Sequence, residues 1–415
     1  MEKSGPHQTL RVLLSEGSGL TSRQVATRLG ALGHHVEILS STPVCLTRFT
    51  NRVRTLHRVP RFADDPLSWF EAANRIARAR DIDVLFPTQE QVAVLSALRS
   101  RLEVATVVPD FAALRRVQDK IEAWRTLHAI RVPQPDSVVV RGKDDLASVA
   151  RFPVFVKRPI STASTGVRRA TTADELVVAA TALGLGTDEL LVQTQAEGEL
   201  AMVQALADHG RLIAHHANLR VVEGIGGGAA IKESVVLPDF AAHLARLVQA
   251  LGWHGPISMD VIITDAGPLV IDVNPRLVEP VNAHLAGVDL VGAMLALARD
   301  EHPAAAPAGR PGVRSCQLLL SVLGAAEHGS RRGVLRELSD AIAHRGVYSG
   351  ATEELTPVAG DPLAAFPVVV AVLATLIKPS LWRLFHAGAT GPYSLTPDAW
   401  RTIVAASEPT TASGR

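Results

Sequence analysis

Two β-branched runs on either side of residue 266 constrain this chain more than any other feature. Ile257–Thr264 and Leu269–Pro275 flank the turn Asp265-Ala266-Gly267, which predicts a hairpin of neighbouring strands. Each run carries a carboxylate inside an apolar stretch, Asp260 in MDVII and Asp272 in VIDVN. Residues two apart on a strand share a face, so Asp272 and Asn274 point the same way and Asp260 comes to lie beside Asp272. Carboxylates packed this closely repel one another unless a cation fills the space between them. Hard oxygen donors in that number suit Mg²⁺, with Mn²⁺ as its substitute, bridging to phosphate oxygens. Arg276, just past Pro275, reaches the same anion with its forked guanidinium. The plainer reading, charges facing water at strand edges, conflicts with the cost of an isolated charge in such apolar runs.

Around this hairpin the chain divides into four stretches. Residues 1–110 alternate short apolar runs with helical patterns: strands at Leu10–Leu14, His35–Leu39 and Val84–Pro87, helices at Arg23–Leu32 and Pro66–Arg80, and a further strand at Thr106–Val108. That rhythm predicts a parallel sheet with helices on both faces, a Rossmann-like domain. Its first turn, SEGSGLTS over Ser15–Ser22, lacks the spacing of a dinucleotide fingerprint and reads as a tight turn. Residues 111–188 open with a helical period over Phe111–His128 and continue with a strand after Val132-Pro133, the strand PVFVKRP and a helix from Ala173 to Leu183. Residues 189–302 hold LLVQTQ, a hairpin joined around Asp208–Gly210, a helix from Phe240 to Leu251 and the carboxylate strands. After the Pro/Ala/Gly stretch 303–312, residues 313–415 are mostly helical in pattern, with a tail from Glu408 expected to be disordered.

Composition excludes several classes. Formal net charge is +1, and adjacent arginines occur only as pairs, so nucleic-acid binding is not expected. Cys45 and Cys316 are too few and too far apart for a disulfide framework, and the first residues do not progress as a signal peptide does, which predicts a cytoplasmic protein. The apolar segment 363–385 is too short to span a bilayer. It predicts a buried helix, an oligomer contact consistent with a homodimer, or a membrane-surface contact anchored by Trp382 and Phe385.

Lysine stands at only six positions, Lys3, Lys120, Lys143, Lys157, Lys232 and Lys378, so Lys157 at the end of an apolar strand stands out. A loop of small residues, Ser161–Gly166, follows it as a candidate flap over phosphates. Together with Asp119-Lys120, LLVQTQAEGE at Leu190–Glu199, SMDVI and IDVNPRLVEP, these residues resemble the ATP-grasp superfamily of carboxylate-amine ligases over Arg11 to about Arg299. The resemblance implies a two-lobed ATP-grasp α+β fold behind the first domain, with ATP and Mg²⁺ as cofactors. It assigns the metal to Asp260, Asp272 and Asn274, and the transferred phosphoryl group to Arg276. ATP contacts fall to Lys120 and Lys157, the adenine hinge to Gln193, Thr194, Gln195 and Ala196, and the ribose acid to Glu199. Aspartate stands at both metal positions where family members commonly carry glutamate, and the hinge lacks the usual Glu-Tyr.

The expected activity is ATP-dependent formation of an amide between a small carboxylate and an amine through an acyl-phosphate. The acceptor site draws on Arg220, a candidate clamp for an acidic substrate, on Lys232, and on the turn Gly226-Gly227-Gly228. Glu90, Asn282 and His284 are candidates for the same cleft, and His254, His284 and Glu279 for a general base. Competing readings are an ATP-binding scaffold without turnover, a kinase or thioester-forming relative, and a nicotinamide-dependent oxidoreductase. The last lacks an acidic residue after the second strand, where Leu39-Ser40-Ser41 stands.

Overall fold

A computed structural model describes residues 8–162, 165–357 and 359–408. Ala163 and Ser164 of the expected flap, the first seven residues and the tail after Glu408 lie outside the described residues. Four strands, β1 (Arg11–Leu14), β2 (His35–Ser40), β3 (Val53–Arg58) and β4 (Val84–Phe86), form a parallel sheet in the order β3-β2-β1-β4. Their connections carry α1 (Leu20–Ala31) and α2 (Pro66–Ala79), and α3 (Val92–Ala97) follows β4. Period-two alternation sorts the side chains: Leu13, Leu39 and Leu85 face a core with Trp69 and Phe70 of α2. Val12, Leu14, Ile38 and Phe86 face another with Val25 and Leu29 of α1. Burial on both faces is why these strands read as continuous apolar runs.

One strand is unexpected and two expectations fail, for local reasons. Edge strand β3, VRTLHR, has only Val53 and Leu56 as aliphatic residues and stays half-exposed, so it lacks the apolar run that marks a buried strand. No strand forms at Thr106–Val108; pairing stops at one parallel bridge, Val84 with Ala105, and Pro109 has no N–H to extend it. The helix expected over Phe111–His128 is two, α4 (Phe111–Gln118) and α5 (Lys120–Ala129). Asp119 divides them by capping α5, accepting from the N–H groups of Ile121 and Glu122 at 2.8 and 3.1 Å.

A second, antiparallel sheet holds β5 (Ser137–Val140), β6 (Val154–Lys157), β7 (Val167–Ala170) and β8 (Leu190–Thr194) in the order β5-β8-β6-β7, with α6 (Ala173–Ala182) against one face. The third sheet contains β9 (Glu199–Asp208), β10 (Arg211–Glu223), β11 (Ala229–Val235), β12 (Gly255–Thr264) and β13 (Gly267–Asn274). Helix α7 (Pro238–Leu251) packs on this sheet, and α8 (Val281–Leu285) and α9 (Leu290–Ala298) follow it. Both expected hairpins are present, β9–β10 through Asp208–Gly210 and β12–β13 through 265–266.

Residues beyond 312 are mostly helical but not separate. Strands β14 (Arg314–Cys316) and β15 (Thr352–Glu353) extend the third sheet beyond β11, giving β13-β12-β9-β10-β11-β14-β15. The helices are α10 (Leu318–Glu327), α11 (Arg331–Ile342), α12 (Phe366–Ile377), α13 (Trp382–Thr390) and α14 (Pro397–Ser407). Helix α14 and Leu395 just before it return to the first sheet, placing Leu395, Ala399 and Ile403 in the core with Trp69, while α9 packs on the opposite core. In the apolar segment, α12 buries Val368 and Val372 against Val322 and Val334 and exposes Val369, Leu373 and Ile377. Among the described residues no helix is long and apolar enough to cross a membrane.

Candidate active site

A cleft of about 550 Å³ opens between the second and third sheets. Its floor is the β12–β13 pair, in which Asp260 stands directly opposite Asp272 and Ser258 opposite Asn274. Burial raises the Asp260 carboxyl to about 6, and the neighbouring Asp272 adds to the effect. Asp260 has neither an ion pair nor a side-chain hydrogen bond among the described residues. Burial acts on Asp272 in the same direction, but Lys120 and Lys157 outweigh it and hold that carboxyl below its usual range.

The two lysines come from α5 and β6. The Asp119 cap sets Lys120 at the first residue of α5, where its Nζ meets both carboxylate oxygens of Asp272 at 2.6 and 2.7 Å. Lys157, at the last residue of β6, is 6% exposed; its Nζ donates to Gln193 Oε1 at 2.7 Å and to the Ile271 carbonyl at 2.6 Å. That carbonyl is available because the β12–β13 ladder skips a residue: Asp260 pairs with Asp272, yet Val261 pairs with Val270. The bulge at Ile271 turns a backbone oxygen toward Lys157. Burial lowers the Lys157 amine to about 8, with Asp272 opposing and Lys120 adding to the shift. Arg276, beyond the end of β13, donates from Nε to Glu90 Oε1 at 2.9 Å, tying the end of β13 to the loop between β4 and α3. Asn274 lies on the face of Asp272, two residues further along.

The residues expected to hold adenine line another part of the wall. Gln193, Thr194, Gln195 and Ala196 all border the cleft. The N–H groups of Thr194 and Gln195 are already given to the carbonyls of Asp136 and Pro153, at 2.9 and 3.0 Å. What these two residues can offer a ligand from the backbone is therefore their carbonyl oxygens. Glu199 is not brought in: it is exposed at the first residue of β9, while Gly198 and Leu200 on either side line the cleft. Strand parity turns its side chain away.

The acceptor candidates separate in the same way. Arg220 lines the cleft and donates to the Gly227 carbonyl at 2.7 Å, bracing the glycine turn, and also pairs with Glu223. Lys232 is 1% exposed and lies between Glu279 at 2.5 Å and Glu354 at 2.7 Å. Burial disfavours its charge, but the two glutamates outweigh burial and raise its pKa, so it stays protonated. Of the three candidate bases only Glu279 borders the cleft. His254 stacks on His209 at 4.2 Å beside Asp208, and His284 lies 4.0 Å from Asp289. Asn282 is a structural residue, buried among His216, Val313 and Ser315.

Two groups here escaped the sequence reading. Asn218 of β10 is buried in the cleft wall with its amide Nδ2 unpartnered, an open donor in a low-dielectric place. Tyr393 is buried within electrostatic reach of Arg276 and Glu90, and burial raises its phenol pKa. An amide in an alternating strand and a tyrosine near the far end of the chain carry no local signal of either role.

A family model described as an ATP-grasp domain matches residues 117–280. A search of curated proteins finds no match. Among solved structures, the fold is similar to the biotin carboxylase domain of Hydrogenobacter thermophilus 2-oxoglutarate carboxylase in complex with MgADP, ADP and bicarbonate. That match has 17% identity and a TM-score of 0.60, covering 75% of each chain. It is also similar to a biotin carboxylase–ATP complex from Campylobacter jejuni, at 16% identity and TM-score 0.59, covering 75% of this chain and 76% of that one. N5-carboxyaminoimidazole ribonucleotide synthetase from Thermus thermophilus matches at 20% identity and TM-score 0.58, covering 75% of this chain and 83% of that one. The family match runs from just before Lys120 to just past Glu279, so the stretch similar to an ATP-grasp domain spans the cleft floor, the wall at Gln193–Ala196 and the glycine turn.

Proposed function

We propose that the protein is an ATP- and Mg²⁺-dependent ligase that joins a carboxylate to an amine, releasing ADP and phosphate. The observation that carries this reading is the facing pair Asp260–Asp272 on the cleft floor, crossed by Lys120, Lys157 and Arg276. A half-buried carboxylate without a side-chain partner among the described residues, Asp260, beside a second one fits a divalent cation, Mg²⁺ or Mn²⁺, with Asn274 as the third donor. When bound, that ion neutralises phosphate charge during transfer. The Thr194 and Gln195 carbonyls suit the exocyclic amine of adenine, and Lys157 and Arg276 suit the phosphates.

A carboxylate resists amines because its leaving group is oxide. One substrate carboxylate oxygen attacks the γ-phosphorus, the bond from that phosphorus to the β–γ bridging oxygen breaks, and ADP departs. The acyl-phosphate that results is attacked at carbon by the amine nitrogen; phosphate leaves and the nitrogen gives up a proton. Glu279, in the cleft wall, is the base within this chain that can take it. Lys157 and Arg276 hold the phosphoryl oxygens in line, and Arg220 and Asn218 face the acceptor.

Phosphate release from ATP by the purified protein, against pooled small carboxylates and amino acids with Mg²⁺, tests this beside an Asp272→Ala control. Release that requires both an acid and an amine and vanishes in the control is expected. ATP binding with no release under any pool would favour a nucleotide-binding scaffold. Sizing chromatography and liposome flotation of the intact protein separate self-association from membrane contact at the exposed ridge of α12.

A further inference from the structure

The cleft shares its glycine turn with a second cavity. Of about 480 Å³, it borders Gly226 and Gly228 as the cleft does, whereas Asp260 lines the cleft and not this cavity. Its walls come from three remote stretches. The loop between β2 and β3 contributes Val44, Leu46 and Phe49; α10 contributes Leu319, Leu320 and Leu323; α12 and α13 contribute Phe366, Val370, Leu384 and Phe385. Among the described residues no lining side chain carries a formal charge; the polar side-chain atoms are the Ser18, Thr390 and Tyr393 hydroxyls and the Cys45 thiol. Tyr393 lies at the boundary, lining this cavity while in electrostatic reach of Arg276 and Glu90.

The wall is built rather than incidental. Phe49 and Phe366 stack at 4.9 Å, closing the cavity between the first domain and α12. Helix α10 presses on the turn so closely that a Cβ on Gly224 would stand 2.9 Å from both Cβ and the carbonyl oxygen of Leu320. Gly226 and Gly227 take positive φ, 61° and 82°, so backbone without side chains separates the two spaces.

We infer that this cavity holds the apolar arm of the substrate whose carboxylate or amine reacts in the cleft, with the glycine turn as the sill between arm and reacting head. The inference rests on the ligase reading and adds the substrate class: a molecule with a polar head and a hydrocarbon or aromatic tail. The volume lies in the range of about 300–1,000 Å³ that encloses a small organic ligand, and apolar walls with few polar atoms give no partner to a charged arm. The residues beyond 312 thus set specificity.

Two probe series test the inference with the full chain and Mg-ATP, one for each source of the arm. The first runs acetate, butanoate, hexanoate and octanoate with an amine pool; the second runs glycine, alanine, leucine and phenylalanine with a carboxylate pool, beside aspartate and lysine. In the series that supplies the arm, kcat/KM rises about threefold per added methylene. Val370→Trp fills the cavity and removes at least about tenfold of kcat/KM for the longest or aromatic probe, leaving the shortest within about twofold. Leu373→Trp, on the exposed face of the same helix, changes neither. Calorimetric binding of the same probes in the presence of Mg-ADP reads the cavity without turnover. Chain-length-dependent binding that Val370→Trp abolishes, with no phosphate release, would sustain the apolar site and overturn the ligase reading. Release that favours aspartate or lysine, is flat along both series, or is insensitive to Val370→Trp would sustain the ligase and overturn the apolar arm.

Discussion

Asp260 costs the folded chain stability where it stands. Its carboxyl titrates near 6 in the fold against 3.8 ordinarily, so between those values the folded state holds the extra proton and stability falls as pH rises. The full penalty is present above about pH 6 and absent below about 3.8. Asp260→Asn therefore raises the stability of the metal-free protein by on the order of 1–3 kcal/mol at pH 7, and by nothing at about pH 3.5. Urea unfolding in chelator across that range checks it, and the same variant loses phosphate release. Such opposition between stability and activity marks a group placed for chemistry rather than packing. Arg276 is the second residue whose removal is diagnostic. Arg276→Ala lowers kcat by about 10²–10³ with smaller change in ATP binding, read by initial rates beside nucleotide titration, because its contact strengthens as phosphoryl charge develops.

At the scale of elements, the glycine turn between β10 and β11 depends on α10. Gly224→Ala sets a methyl against Leu320, and the helix cannot yield without moving the wall of the apolar cavity. The expected cost is about 1–3 kcal/mol, with raised KM for the apolar-armed substrate inferred above, measured by denaturant midpoint and steady-state kinetics. The bulge at Ile271 works the same way on a smaller scale: one extra residue in β13 delivers a carbonyl to Lys157 without disturbing the opposition of Asp260 and Asp272.

At the scale of the whole molecule, a buried polar network joins distant parts. Glu354, between β15 and α12, accepts from Lys232 of β11 at 2.7 Å, from Gln24 of α1 at 2.7 Å and from Ser315 of β14 at 2.6 Å. Glu279 accepts from the same Lys232 and donates its own N–H to the Thr21 hydroxyl oxygen at 3.1 Å. Glu354→Leu leaves Lys232 half-paired in a dry interior and costs about 3–5 kcal/mol, seen as loss of the cooperative unfolding transition at its normal midpoint. The first domain, the third sheet and the residues beyond 312 loosen together, because the network touches all three.

What the sequence determined by itself was whatever repeats with a short period. Alternation every two residues is local geometry, so the opposition of Asp260 with Asp272, the place of Asn274, Lys157 at the end of its strand and the parallel first sheet were all legible. The resemblance placed Glu199 at the ribose, but it stands exposed at the start of β9, outside the residues that line the cleft, and at Thr106–Val108 one bridge and a proline end the pairing. His254 and His284 lie near the carboxylate strands in sequence but pair with Asp208, at the end of β9, and Asp289, before α9. Tertiary structure alone decided the Lys120–Asp272 pair, the Arg276–Glu90 tie, Tyr393 beside the cleft and the apolar cavity, whose walls run from Ser18 to Tyr393. Each joins side chains from distant stretches of chain, and their meeting is set by how three sheets and the last helices pack, which no period along the chain records.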